Sequence, residues 1–132
     1  MTEFEISSTG KYIAGDCVEI WLEDGIIRVV YLDHADITVA INKKMHEIYL
    51  HIAQEKKYPF LFSASGSIWF SKDARDFASE IETKQPFLAV AIYAPGLGYR
   101  LMAEFYARFN KPATPYKIFK DTAEAMQWLK TF

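Results

Sequence analysis

Val18, Ile20 and Leu22 alternate with Cys17, Glu19, Trp21 and Glu23, and a second alternating run extends from Ile26 to Leu32. Asp24-Gly25 stands between the two runs. Alternation at a period of two is the pattern of a half-buried strand, and Asp-Gly between two such runs predicts a tight hairpin, because both central residues of a type I′ turn need positive φ. That turn sets the register. It pairs Leu22 with Ile27, Ile20 with Val29 and Val18 with Tyr31 on a face that points to the core. The opposite face pairs Trp21 with Arg28 and Glu19 with Val30, a half-wet mixture in which a cation–π contact between Arg28 and the indole is expected.

After the hairpin the period becomes helical. Ile41, Met45, Ile48, Tyr49, Ile52 and Ala53 recur at steps of three and four residues between Thr38 and Lys56, which predicts an amphipathic helix. Phe60 to Ser63 and Phe87 to Tyr93 are continuously apolar instead, as in central parallel strands covered on both faces. Between them lies a serine-rich loop, Ser63 to Phe70, and a helix starting at Ser71 that buries Ala74, Phe77, Ala78 and Ile81. Ala94-Pro95-Gly96 leads into a helix from Leu97 to Phe109, which Lys111-Pro112 ends. Tyr116 to Phe119 forms a last strand, and Asp121 with Glu124 three positions on marks the start of a final helix carrying Ala125, Met126, Trp128 and Leu129. The order is a hairpin followed by α, β, α, β, α, β, α. Such alternation implies right-handed crossovers onto a mixed, largely parallel sheet with the hairpin toward one edge: an α/β fold.

The chain has 132 residues, 51% hydrophobic and 24% charged, which fits one domain, 1–132, with a packed core. Fifteen basic against seventeen acidic residues give a net charge of −2, so no basic excess is present to displace counterions from a phosphate backbone, and nucleic acid is not an expected partner. Met1 to Ser8, with Glu3 and Glu5, lacks the positive end and apolar stretch of a secretory leader. The longest apolar run, Phe87 to Ala94, is too short for a membrane span. Cys17 is the sole cysteine, which rules out an intrachain disulfide and a cysteine-based zinc site. The expectation is a cytoplasmic protein with no membrane association and no cofactor.

Three stretches, "VEIWLEDGIIRVVYL", "FLAVAIYAPGLGYRLMAEFY" and "KPATPYKIFKDTAEAMQWL", together with the element order from Cys17 to Leu129, resemble a STAS-type domain of the SpoIIAA-like group, in particular its small uncharacterised bacterial members. The group includes the anti-sigma-factor antagonists, in which a serine at the start of the helix after the second core strand is phosphorylated by a partner kinase. Ser71, in "SIWFSKDARDF", stands nearest that serine. The family pattern puts an aspartate before the serine and a glycine shortly after it. Here Phe70 precedes Ser71 and Lys72-Asp73-Ala74 follows, so the phosphorylatable motif is incomplete.

Candidate chemistry is sparse. Ser71 suits a helix N-cap, and the dipole that favours a cap would equally favour a phosphate. Ser63, Ser65 and Ser67 around Gly66 have the composition of a turn, yet loops at the carboxyl ends of parallel strands also hold anions. Gly96-Leu97-Gly98 opens a helix after a core strand, but Leu101 occupies the place of the third glycine in a dinucleotide loop. Arg100 could steady an anion there. His34 between Asp33 and Asp36 reads as a turn, and His46 and His51 are turned about 140° apart on their helix, so they cannot share a metal. Cys17 opens an apolar strand without a basic neighbour. On the third helix Leu97, Leu101, Phe105, Phe109, Tyr99, Met102 and Tyr106 cover an arc wider than one sheet face needs, and Tyr99, Met102 and Tyr106 are the interface candidates. With no nucleophile, metal set or complete phosphate motif, the expected function is a non-enzymatic regulatory module that binds a protein partner or a second copy of itself. The alternative is a carrier or sensor of a small apolar or anionic ligand, held between the serine-rich loop, with Gly66, and the helix start at Gly96, Gly98 and Arg100.

Overall fold

Ahead of the predicted hairpin the chain makes two short strands, β1 (Glu5–Ile6) and β2 (Tyr12–Ala14). The computed structural model describes residues 4–132; Glu3, noted above for its charge, lies outside them. The hairpin follows as β3 (Val18–Glu23) and β4 (Ile26–Tyr31), with Asp24 at φ 53° and Gly25 at φ 76°. Its register is the expected one, including Leu22 opposite Ile27 and Val18 opposite Tyr31. Val18, Ile20, Ile27, Val29 and Tyr31 are buried, whereas Leu22, beside the turn, is 43% exposed. The cation over Trp21 is not Arg28. Lys11, brought alongside by β2, places its Nζ 4.1 Å from the indole centroid, while Arg28 approaches Glu23 at 4.0 Å.

β5 (Ala35–Ile37) leads to α1 (Val39–Ala53), which Thr38 caps by accepting a hydrogen bond from the Ile41 amide at 3.3 Å. β6 (Tyr58–Ala64) crosses the sheet centre, and β7 (Ile68–Phe70) pairs in parallel with β5 as a separate two-stranded ribbon. The stretch expected to be loop from Ser63 to Phe70 is therefore strand at both ends. Ser71 caps α2 (Lys72–Glu80) through a 3.0 Å bond from the Ala74 amide, and a 3-10 turn at Glu82–Lys84 follows. β8 (Phe87–Tyr93), α3 (Leu97–Asn110) and β9 (Tyr116–Phe119) come next. Asp121, accepting from the amides of Ala123 and Glu124, starts α4 (Thr122–Leu129).

The main sheet has seven strands in the order β1-β2-β3-β4-β6-β8-β9. Pairing is antiparallel from β1 to β4 and parallel from β4 to β9. The hairpin is consequently inside the sheet, since β1 and β2 extend it outward. On one face Ile20, Val29, Phe60, Phe62, Val90 and Ile92 pack in a core shared with Met45, Ile48 and Tyr49 of α1, Ala74 of α2 and Ala103 of α3. On the other, Ile26, Leu61, Ala89, Ala91 and Phe119 meet Ala125 and Leu129 of α4. Coverage on both sides explains why β6 and β8 carry unbroken apolar runs.

Candidate functional site

Between the sheet and the three helices on its more heavily covered face is a cavity of about 140 Å³. Its floor is Tyr31 of β4, Phe62 of β6, Val90 and Ile92 of β8 and Tyr116 of β9. Asn42, Met45 and Tyr49 of α1 close one side. Arg75 and Ala78 of α2 and Tyr99, Met102 and Tyr106 of α3 form the half-buried roof and rim. Each tyrosine stands at a position that the local period turns inward. Tyr31 continues the inward row of its strand, and Tyr49 belongs to the apolar stripe of its helix.

The walls are aromatic, and their polarity is confined to side-chain tips. Tyr31 meets Phe70 edge-on with centroids 5.2 Å apart and Tyr99 at 6.2 Å, and Tyr106 lies 6.1 Å from Tyr116. Tyr31 is 5% exposed and Tyr49 2%. The Tyr116 hydroxyl donates to the Ala103 carbonyl at 3.2 Å. Among the described residues nothing bonds the hydroxyls of Tyr31 and Tyr49, and neither is sealed in protein as the Arg28 Nε is, so both reach the cavity. Burial pushes the phenols of Tyr31, Tyr49, Tyr99 and Tyr116 up, reinforced by their mutual proximity. Burial, with the nearby Glu82 carboxylate, lifts Tyr106 to about 12. All five are neutral donors at ordinary pH.

Two polar contacts hold the rim. Glu82 is buried, and its carboxylate accepts from the amides of Ala113 and Thr114, both at 2.9 Å, and from the Thr114 hydroxyl at 2.8 Å. This clamps the segment after α3 to the end of α2. Arg75 donates from Nη1 to the Phe70 carbonyl at 3.2 Å and lies over the Phe105 ring at 5.4 Å. Elsewhere Asn42 donates to the Ala74 carbonyl at 2.8 Å, joining α1 to α2.

The structure distributes the sequence candidates differently from the carrier arrangement expected above. Ser65, Gly66 and Ser67 are exposed and outside the cavity wall. Their turn is spent on the backbone: the Asp33 carboxylate accepts from the Ser67 amide at 2.8 Å, the Ser67 carbonyl accepts from the His34 amide, and Asp33 packs where a side chain on Gly66 would sit. Gly96 and Gly98 are exposed at the α3 start, and Arg100 is likewise off the cavity wall. Ser71 is a cap. Tyr99, Met102 and Tyr106, chosen as interface residues, line the cavity; the part of α3 that meets solvent is Leu97, Leu101, Phe105 and Phe109, between 45% and 64% exposed. The His34 ring pairs with Asp33, at 3.4 Å on the surface, His46 bonds Gln85 at 2.7 Å, and His51 packs on Phe4 and Tyr12. Among the described residues no group of histidine, cysteine and carboxylate side chains is arranged to hold a metal. Burial and the neighbouring Asp16 and Asp36 raise the Cys17 thiol. No helix among the described residues is long and apolar enough to cross a membrane.

Tyr31, Tyr49 and Tyr116 were read in the sequence only as core or strand positions, and Arg75 and Glu82 were not named. The usable signal was a hydroxyl-bearing ring at an inward position, since a buried phenol needs a partner for its O–H.

The model of a domain of unknown function, DUF7793, matches residues 20–132, and the chain belongs to that family. No curated protein sequence matches it. Among solved structures, an uncharacterized protein from the DUF3478 family of Shewanella loihica PV-4, with a SpoIIAA-like fold, is similar at a TM-score of 0.56 and 18% identity, over 85% of this chain and 91% of that one. The fold is SpoIIAA-like, as the resemblance to STAS domains implied.

Proposed function

We propose that this member of the family is a non-enzymatic sensor or carrier that holds a small, mainly apolar ligand in the tyrosine-walled cavity. The observation that carries the reading is that Tyr31 and Tyr49, buried as residues, present hydroxyls to the cavity that no described residue bonds, on an otherwise aromatic wall. Buried polar groups are normally bonded, and a concave apolar surface with a few convergent polar tips is the usual form of a small-molecule site. The state of the buried titratable groups supports binding over turnover. The phenols are held neutral, which leaves them donors and not bases, and Glu82, the buried carboxylate among the described residues, has its oxygens taken by Ala113 and Thr114.

Native mass spectrometry of the protein purified gently from its own host tests this. A non-covalent small-molecule adduct is expected in the wild type and absent from Ala78→Trp, which fills the rim. A wild type that carries no adduct, and whose melting temperature no small apolar compound raises, overturns the reading. The exposed row of Leu97, Leu101, Phe105 and Phe109 supports a second role, association with a protein partner or a second copy. The same spectra would show a dimer that Phe109→Glu dissociates; a monomer at all concentrations removes self-association.

A further inference from the structure

Resting on the ligand-binding reading above, we infer that the cavity selects an uncharged, single-ring aromatic compound bearing a hydroxyl group. Size comes first. A cavity of about 140 Å³ compares with the roughly 150 Å³ apolar cavity known to admit benzene, so one ring with one or two small substituents fits. Shape points the same way. The walls are ring faces and edges from Tyr31, Phe62, Phe70, Phe87 and Tyr99, and an inserted ring can take the offset or edge-to-face geometry that aromatic pairs prefer. Met45 and Met102 add adaptable sulfur contacts.

Polarity then separates a phenol from a plain hydrocarbon. Tyr31 and Tyr49 each bring an O–H that no described residue satisfies, and a hydrocarbon would leave both unpaired in a desolvated site. A ligand hydroxyl both donates and accepts, so it can pair with either phenol. Charge separates a phenol from a benzoate. Among the described residues of the wall the carboxylate is that of Glu82, whose oxygens accept from Ala113 and Thr114, and the guanidinium is that of Arg75, committed to the Phe70 carbonyl and the Phe105 ring. An anionic ligand would be desolvated without a free cation to compensate it.

The pair p-cresol and toluene differs by one hydroxyl and tests the inference directly, with benzoate as the charged comparison. Isothermal titration should show p-cresol binding about tenfold more tightly than toluene, the ratio expected for one net buried hydrogen bond, and benzoate more weakly than either. Tyr31→Phe/Tyr49→Phe should keep toluene affinity and remove the p-cresol preference, with near-ultraviolet circular dichroism confirming an intact core. Toluene binding as well as p-cresol, benzoate binding best, or a preference that survives the double substitution would each overturn the hydroxyl-aromatic selection while leaving the cavity a binding site. Failure of all three probes to bind the folded wild type would overturn the selection and the ligand-binding reading together.

Discussion

Raising the pH should unfold this protein through its cavity tyrosines. In the unfolded chain these phenols ionise around the ordinary value of 10, while in the folded state burial keeps Tyr31, Tyr49, Tyr99, Tyr106 and Tyr116 protonated above it. Above pH 10 the native state therefore binds more protons than the unfolded one, and stability falls as pH rises; below pH 10 the contribution is fully retained. Each phenol held protonated costs about 1.4 kcal/mol per pH unit in that window. Tyr31 and Tyr49, almost wholly buried, together give a slope of about 3 kcal/mol per unit. Tyr99, Tyr106 and Tyr116 add the same slope each until pH reaches their own folded-state values, Tyr106 at about 12, so the total lies between about 3 and 7 kcal/mol per unit. Against a typical net stability of about 5–15 kcal/mol, unfolding should be complete within one to a few pH units above 10. Urea titrations at a series of pH values, followed by tryptophan fluorescence and tyrosinate absorbance, measure the slope. The steep loss should coincide with delayed tyrosinate formation, and Tyr31→Phe should make the slope shallower by about 1.4 kcal/mol per unit. Tyrosines that all titrate near pH 10 in a protein of undiminished stability would refute the placement of the phenols.

Two further outcomes bear on the segments that frame the site. Glu82→Gln replaces a carboxylate holding the Ala113 and Thr114 amides with an amide that turns one donor toward them, and should cost about 2–4 kcal/mol in chemical denaturation; no loss would mean that the clamp is not formed. Ser71→Ala should cost about 1 kcal/mol through the lost cap, while Ser71→Asp, which can cap equally well, should stay within about 0.5 kcal/mol of wild type; equal destabilisation by both would remove the cap explanation.

What the sequence made legible is what local rules decide. Asp24-Gly25 sets the hairpin register, Ser71 and Asp121 are caps recognisable by residue type and spacing, and the unbroken apolar runs of β6 and β8 announce a sheet covered on both faces. The two- and three-residue strands β1, β2, β5 and β7 are too short to show a period, and they form because neighbouring backbone offers partners. The cavity was hidden for a related reason. Tyr31, Tyr49, Tyr99 and Tyr116 lie on four separate elements and converge only when the sheet and helices assemble. The serine loop misled in the opposite direction, since its turn composition announced polar groups that Asp33 and the backbone already use.

The cavity also follows from how the fold is filled. Where helices approach the sheet over small residues, Ala74 and Ala103, the packing is close. Beside those contacts, long rigid rings enter from β4, α1, α3 and β9, and rings that meet edge-on, as Tyr31 does with Phe70 and Tyr99, cannot interdigitate as branched aliphatic side chains do. Collapse of the remaining space would require α2 and the end of α3 to move inward. The Glu82 clamp and the bond from Arg75 to the Phe70 carbonyl oppose that movement at opposite ends of α2. Both anchors bind backbone groups, Glu82 with the Thr114 hydroxyl besides, which fixes the roof without consuming the hydroxyls of Tyr31 and Tyr49. Those two hydroxyls remain open to the cavity, in a site whose volume is maintained by contacts outside it. A ligand entering there meets a preorganised wall and need not pay for ordering it, which is the condition under which a cavity of this size can bind selectively.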